Sequence, residues 1–380
     1  MKILISILFC LFTGTMFAQN VEVWKAFEVV KGDTTFVGFK DKGGHIKIPA
    51  KFDDFLTNRT LKNISSVSFL EDSSKKFGYL LRNGNIVGID SCYMDGDYSP
   101  DKESEETIRF ETRNPKGMGF FDKDGKVLIP AMYNYVSPFT NGYAYALFGA
   151  KRSCNGKIES DAGCEHWWWI GGESLLINKQ NKIIIKNWDS HGDSNLDFYS
   201  VKIDEKVDTS IYKSYKGEDN RIYSFLDYEK QFNKWLKKDF YLNFKTDIGK
   251  YLFEEIRLDF PTKKKMNDVV FTKRKYLRSN HLNRMKELLE AISNSDTTLS
   301  TSLYKSDLFG YYFDRQKFKN YNNDNDLLNI NKYPIFELNI SNSEKFSFEG
   351  SNKKFNNATI EFIRIDSSYQ IIGFSYNEWD

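Results

Sequence analysis

Over the first half of the chain, hydrophobic and polar positions alternate in short runs separated by turn residues, the pattern of a strand-and-turn fold. The clearest stretch is Gly119–Ala146, GFFDKDGKVLIPAMYNYVSPFTNGYAYA. Phe120 and Phe121 open an apolar run, and Asp122-Lys123-Asp124-Gly125 supplies turn chemistry. Lys126 to Ile129 is a second β-rich run, which Pro130 ends by removing a backbone donor. A turn at Asn141-Gly142 then leads into Tyr143-Ala144-Tyr145-Ala146, whose alternation of large and small residues predicts a half-buried strand. The same grammar recurs at Val37–Phe55, Phe77–Tyr93 and Ser174–Ser190. Gly38, Gly78 and Gly119 stand about forty residues apart, a period typical of units that bury their apolar faces only by stacking on neighbours. In the fourth copy Leu175 replaces the glycine, after an insertion.

Further on, Tyr199-Ser200-Val201-Lys202-Ile203 alternates and closes the array, and polar composition marks residues 206–223 as a linker. The period then changes. Ser224-Phe225-Leu226-Asp227 reads as a helix cap, and Phe225, Tyr228, Phe232 and Trp235 recur at helical spacing. A second helix is expected over Leu282–Ile292. Past an Asn-rich loop come strands at Ile335–Ile340, Lys345–Phe348, Ala358–Ile365 and Gln370–Tyr376. The expected fold class is mixed: an N-terminal all-β hairpin-repeat array, then a C-terminal α+β domain with helices first and an antiparallel sheet last. The corresponding division is a signal peptide at 1–18, a β-repeat domain at 19–205, the linker, and the α+β domain at 224–380.

The repeat unit resembles that of the WG-repeat family of bacterial proteins, which runs Trp-Gly-aromatic, a D-K-x-G turn, Ile-Pro, and an aromatic-Asp pair. The resemblance covers about residues 25–200. Val37, Phe77, Met118 and Ser174 occupy the family's Trp position, so no copy keeps the namesake residue. The C-terminal element order resembles the cone-shaped nuclear-transport-factor-2-like fold. The stretch Tyr251–Thr262, YLFEEIRLDFPT, is similar to a phrase found in exported Bacteroidetes proteins. Neither resemblance brings active-site residues with it.

Met1-Lys2 followed by the apolar Ile3–Phe12, with Ala18 before Gln19, reads as a cleavable signal peptide, so the chain is expected in the periplasm or beyond the cell. No later run is apolar for long enough to cross a membrane as a helix. Lys and Arg total 54 against 52 for Asp and Glu, so no overall field steers an anionic partner. Residues 230–290 are locally basic, with Lys263-Lys264-Lys265 and Lys273-Arg274-Lys275. After export, lipid head groups or surface polysaccharide suit that excess better than nucleic acid, and a solvated loop accounts for it most simply.

With Cys10 in the signal peptide, Cys92, Cys154 and Cys164 remain. Cys154 and Cys164 flank a short polar stretch and are expected to form a disulfide, which would add about 2–3 kcal/mol by the chain-entropy model. Free thiols are the alternative. Cys92 is left over, expected to be buried beside Tyr93.

The insertion ends in His166-Trp167-Trp168-Trp169-Ile170. Neighbours on a strand face opposite sides, so Trp167 and Trp169 share one face and Trp168 takes the other. The triplet is either an aromatic platform for a sugar ring or peptide, or a plug between the repeats and the next domain. Catalytic chemistry is thin. His45, His166, His191 and His281 are the four histidines, with His45 and His281 expected on the solvated surface. Cys154, Cys164, His166 and His191 lack the spacing of a zinc set, and no nucleophile or phosphate motif has a fitting context. Asp53 after Phe52 belongs to the repeat grammar, as a turn acceptor. No catalytic residue, metal or cofactor is assigned.

The expected function is an exported, non-enzymatic repeat protein that binds an envelope protein or surface glycan, with Trp167, Trp168 and Trp169 as its candidate contact residues. The alternative is a ligand-binding or weakly catalytic pocket in the C-terminal cone. A polar cone lining would favour the alternative, and a filled aromatic core the first reading. Oligomeric state is not legible.

Overall fold

A computed structural model describes residues 21–95, 99–154, 157–158, 167–189, 195–261, 266–306, 321, 329, 331–343 and 354–379. The signal segment, Cys164, His166, His191, Lys263–Lys265 and the expected strand Lys345–Phe348 lie outside these residues.

All four copies build one turn, including the two whose sequences keep the grammar least. In the first, Asp41 N donates to the His45 carbonyl at 3.1 Å and Gly44 N to the Asp41 carbonyl at 3.0 Å. The same two bonds join Leu81, Gly84 and Asn85 in the second copy, both at 2.9 Å, and Asp122, Gly125 and Lys126 in the third, at 2.8 and 3.0 Å. In the fourth, Asn178 N donates to Lys182 and Asn181 N to Asn178, at 3.1 and 2.9 Å. This is a three-residue hairpin loop whose last residue must take positive φ. Glycine does so in three copies, and Asn181, at φ 58°, does so in the fourth. In the third copy the first side chain holds the loop: Asp122 Oδ1 accepts from Asp124 N at 3.0 Å and Lys126 N at 2.8 Å. Asn178 Oδ1 does the same for Gln180 and Lys182, at 3.1 and 2.9 Å.

Each turn joins the middle and last strands of a three-stranded antiparallel unit. In the third unit, Thr107–Arg113 pairs with Lys116–Asp122, which pairs with Val127–Tyr133. The last pairing slips at Gly119, where the Ile129-Pro130-Ala131 backbone passes directly over the strand: a Cβ on Gly119 would lie 2.3 Å from the Ile129 oxygen. Gly38 plays the same part beneath Ile48 and Ala50. The Gly and Ile-Pro elements of the repeat are therefore two sides of one bulge.

Each apolar cluster is shared between consecutive units. Val37, Phe39 and Phe52 of the first unit pack with Val67 and Leu80 of the second. Tyr79 and Leu81 of the second pack with Ile108, Phe110 and Phe121 of the third. Met118 and Ile129 of the third meet Ala144, Ala146, Leu175 and Ile177 of the fourth. Nearest-neighbour burial of this kind is what stacked units require.

Residues 206–223 are not a free connector. They contain the strand Tyr212–Lys216, which pairs along its length with Ile222–Asp227, and the latter also pairs with Leu196–Ile203. The polar residues read as linker are the loops of this small sheet. Ser224 is not a cap: it is buried within Ile222–Asp227, and the N-cap of helix Tyr228–Trp235 is Asp227, whose side chain accepts from Lys230 N at 3.0 Å. Phe225 packs with Leu176, Ile185 and Trp188 of the fourth unit, while the adjacent Leu226 packs into the C-terminal core.

The C-terminal region combines helices and sheet, in an order that differs from the expected one. Leu252–Pro261 and Met266–Thr272 precede the long helix Asn280–Ser293, and Leu299–Ser306 adds a further strand after it. These join Ile335–Asn342, Lys354–Ile365 and Ser368–Trp379 in one six-stranded sheet. The sheet is not wholly antiparallel, because Leu252–Pro261 runs parallel to Ser368–Trp379. The first of these strands is not assigned from sequence, although Glu255, Arg257 and Asp259 alternate with Ile256, Leu258 and Phe260, and Ile256 and Leu258 are fully buried. Aromatic rings fill the space between helices and sheet: Phe232 stacks on Phe336 at 4.8 Å, Trp235 on Phe240 at 5.1 Å, and Tyr369 lies 4.7 Å from Phe232.

Candidate functional site

The tryptophan triplet forms the strand Trp167–Ile170, which pairs antiparallel with Lys151–Cys154. This ribbon extends the pairing of Tyr143–Phe148 with Glu173–Asn178 through two bends. Gly171 and Gly172 make the return bend at φ 63° and 79°, and a Cβ on Gly172 would lie 2.6 Å from Ala150 N. The alternation expected of a strand holds. Trp167 and Trp169 share a face, with ring centres 5.1 Å apart and edge to face, and Trp168 takes the other, 48% exposed.

Trp168 and Trp169 form one wall of a cleft of about 690 Å³. Tyr135, Tyr143 and Tyr145, all from the sheet of the fourth unit, line it, and Trp188 and Phe198 add further rings. Ala144 and Ala146 point the other way into the core, which is why large and small residues alternate in this strand. Ser137, Thr140, Ser174 and Asn331 contribute neutral polar groups, and Lys305 contributes a charged one. Burial pushes the phenols of Tyr135 and Tyr143 up, so both present neutral hydroxyls at physiological pH. The cleft can grip a ring by its faces and hydrogen-bond its edges, and among the described residues its lining holds no carboxylate to move a proton.

The structure thus brings Trp168 and Trp169 together at the cleft and turns Trp167 away from it. Cys154 is buried on the same ribbon, opposite Trp167, and its expected partner Cys164 lies outside the described residues. Cys92 is a free, partly buried thiol, pushed up to about 12 by burial. Sequence reasoning missed Tyr135, Trp188, Phe198 and Arg152 as neighbours of the triplet. Only the Tyr143/Tyr145 alternation hinted at a second aromatic wall.

The other candidate groups are accounted for locally. Asp53 accepts from Phe55 N at 2.8 Å, as a turn acceptor should. His45 is exposed beside Asp41. His281 is not a solvated surface residue as expected: it is half-buried between Phe260 and Tyr376, with its Nδ1 2.9 Å from the Tyr376 hydroxyl. Among the described residues no cluster of three His, Cys, Asp or Glu side chains could hold a metal ion. No helix among them is long and apolar enough to cross a membrane, which says nothing of strands.

A family model described as the WG containing repeat matches residues 118–151, which hold the last two strands of the third unit and the cleft-lining strand Tyr143–Phe148, so the chain carries a WG-type repeat there. No match is found among curated proteins. Among solved structures, the apo form of prolyl oligopeptidase B from Galerina marginata is similar at 8% identity and a TM-score of 0.23, over 87% of this chain. The chain spans 38% of the length of that structure, and a likeness at this level relates neither fold nor chemistry.

Proposed function

We propose that this chain is an exported, non-enzymatic interaction protein of the cell envelope, and that the cleft beneath Trp168 binds a surface glycan. The observation that carries the reading is the cleft itself. An exposed indole stands over a concave surface walled by tyrosines and tryptophans, with neutral hydroxyl and amide groups between them. Pyranose rings present apolar C–H faces to indoles and hydroxyl edges to Tyr, Ser and Asn, so such a lining suits a neutral sugar unit better than a charged metabolite. The stacked units hold the cleft wall rigidly, which lowers the entropy cost of ordering it on binding. The filled aromatic core of the C-terminal region supports this reading over a pocketed cone.

The test is retention of the purified protein on immobilised envelope and matrix polysaccharides, wild type beside Trp168→Ala. Retention lost in the variant, with circular dichroism unchanged, supports the proposal. Equal retention of both proteins on every polysaccharide contradicts it.

A further inference from the structure

The Trp strand has a second side, and the group that stands out there is a cation. Arg152 lies against Trp167 and Trp169, its guanidinium carbon 3.9 Å and 5.6 Å from their ring centres. The register explains this: Arg152 is directly opposite Trp169, and Trp167 lies two residues away on the same face. A cleft of about 310 Å³ opens here, to which Tyr93, Tyr135, Glu111 and Lys116 also contribute. Glu111 and Lys116 cancel in sign, so Arg152 sets the charge of the cleft. Among the described residues no carboxylate forms an ion pair with Arg152, and its Nε is buried without a hydrogen-bond partner.

A guanidinium covered on its faces by indoles keeps its donors in plane, loses competing water, and fits a carboxylate through two parallel hydrogen bonds. Tyr135 and Trp169 line this cleft and the neutral one alike, so the two are neighbours sharing a wall. We infer, resting on the glycan-binding reading above, that the glycan is acidic: a uronic-acid-type carboxylate docks on Arg152 while an adjoining sugar ring lies under Trp168. Both clefts offer a ligand ring faces and phenol hydroxyls, which favours a sugar acid over an acidic peptide.

The experiment titrates wild type, Arg152→Gln, Arg152→Lys and Trp168→Ala, each checked for folding by circular dichroism, with four probes. These are a galacturonate oligosaccharide, its methyl ester, a neutral gluco-oligosaccharide of equal length, and an oligoglutamate peptide. Wild type is expected to bind the acid about tenfold more tightly than the ester, the scale of a paired charge-assisted contact. Arg152→Gln should abolish that ratio, weakening acid binding about tenfold more than ester binding, and Arg152→Lys should restore only part of it. Equal affinity for acid, ester and neutral sugar, lost in Trp168→Ala, would overturn the acidic-ligand inference and leave glycan binding standing. No binding to any sugar would overturn both. Tighter binding of oligoglutamate than of galacturonate, lost in Arg152→Gln, would show a peptide site and contradict the inference.

Discussion

Gly119 lies beneath the Ile129 carbonyl so closely that a Cβ there would stand 2.3 Å from the oxygen, closer than any real contact allows. Gly119→Ala should therefore force the Val127–Tyr133 strand to move, at about 1–3 kcal/mol or more. Gly142, at φ 79° with open space around it, isolates the conformational part: Gly142→Ala should cost only about 1–2 kcal/mol. Urea denaturation of the two variants checks the order. A Gly119→Ala protein no less stable than Gly142→Ala would refute the crossing as the reason for the glycine.

Phe225 and Leu226 make the second prediction, since adjacent residues of one strand serve two cores. Truncation to Ala should cost about 3–5 kcal/mol at Phe225 and about 2–5 kcal/mol at Leu226. The amides of Tyr212–Lys216 and Ile222–Asp227 should exchange as slowly as those of the repeat strands. Fast exchange across 206–223 would restore the linker reading.

His281 links stability to pH. Burial first, and then the nearby Arg284, lower its pKa from the ordinary 6.5. Above that value both folded and unfolded states hold it neutral and nothing is lost. As pH falls below 6.5 the unfolded state takes up its proton first, so the folded state loses stability until the pH passes the folded pKa. His281→Gln should therefore flatten the stability profile between neutral and mildly acidic pH. An unchanged acid slope in the variant would show that the ring is not held neutral.

The cysteines give a chemical test. Burial pushes the Cys92 thiol up to about 12, so it should resist iodoacetamide in the native protein and react only on unfolding. Cys154 and Cys164 are proposed to be bonded in the exported protein. Non-reducing peptide maps should join them, and a map linking either to Cys92 would contradict both statements.

How far the sequence could be read follows from what each feature depends on. Turn chemistry is local, so Asp122 to Gly125 announced its hairpin outright, and the worn Asn178 to Lys182 loop proved to be the same turn with Asn181 in the glycine's place. The alternation of Trp167, Trp168 and Trp169 followed from strand geometry alone. What the triplet faces did not, because local pattern encodes neither the cleft that Trp188 and Phe198 line with it nor the pairing that sets Arg152 opposite Trp169. Leu252–Pro261 is a different case: Glu255 to Phe260 alternates charged and apolar residues as a strand does, yet the sequence reading takes the stretch only as a family phrase, and its parallel partner more than a hundred residues away is not encoded locally.

Trp168 is the central contact of the proposed cleft, and the most direct measurement is its contribution to glycan affinity. Calorimetric titration of the best-retained oligosaccharide should show Trp168→Ala weakening binding by roughly 2 kcal/mol or more, about thirtyfold, as expected of a central aromatic anchor. Chromatography of the same mixture after prolonged incubation should return the oligosaccharide uncleaved. Affinity unchanged in Trp168→Ala, or shortened products from the wild type, would contradict the claim that this cleft binds without turnover.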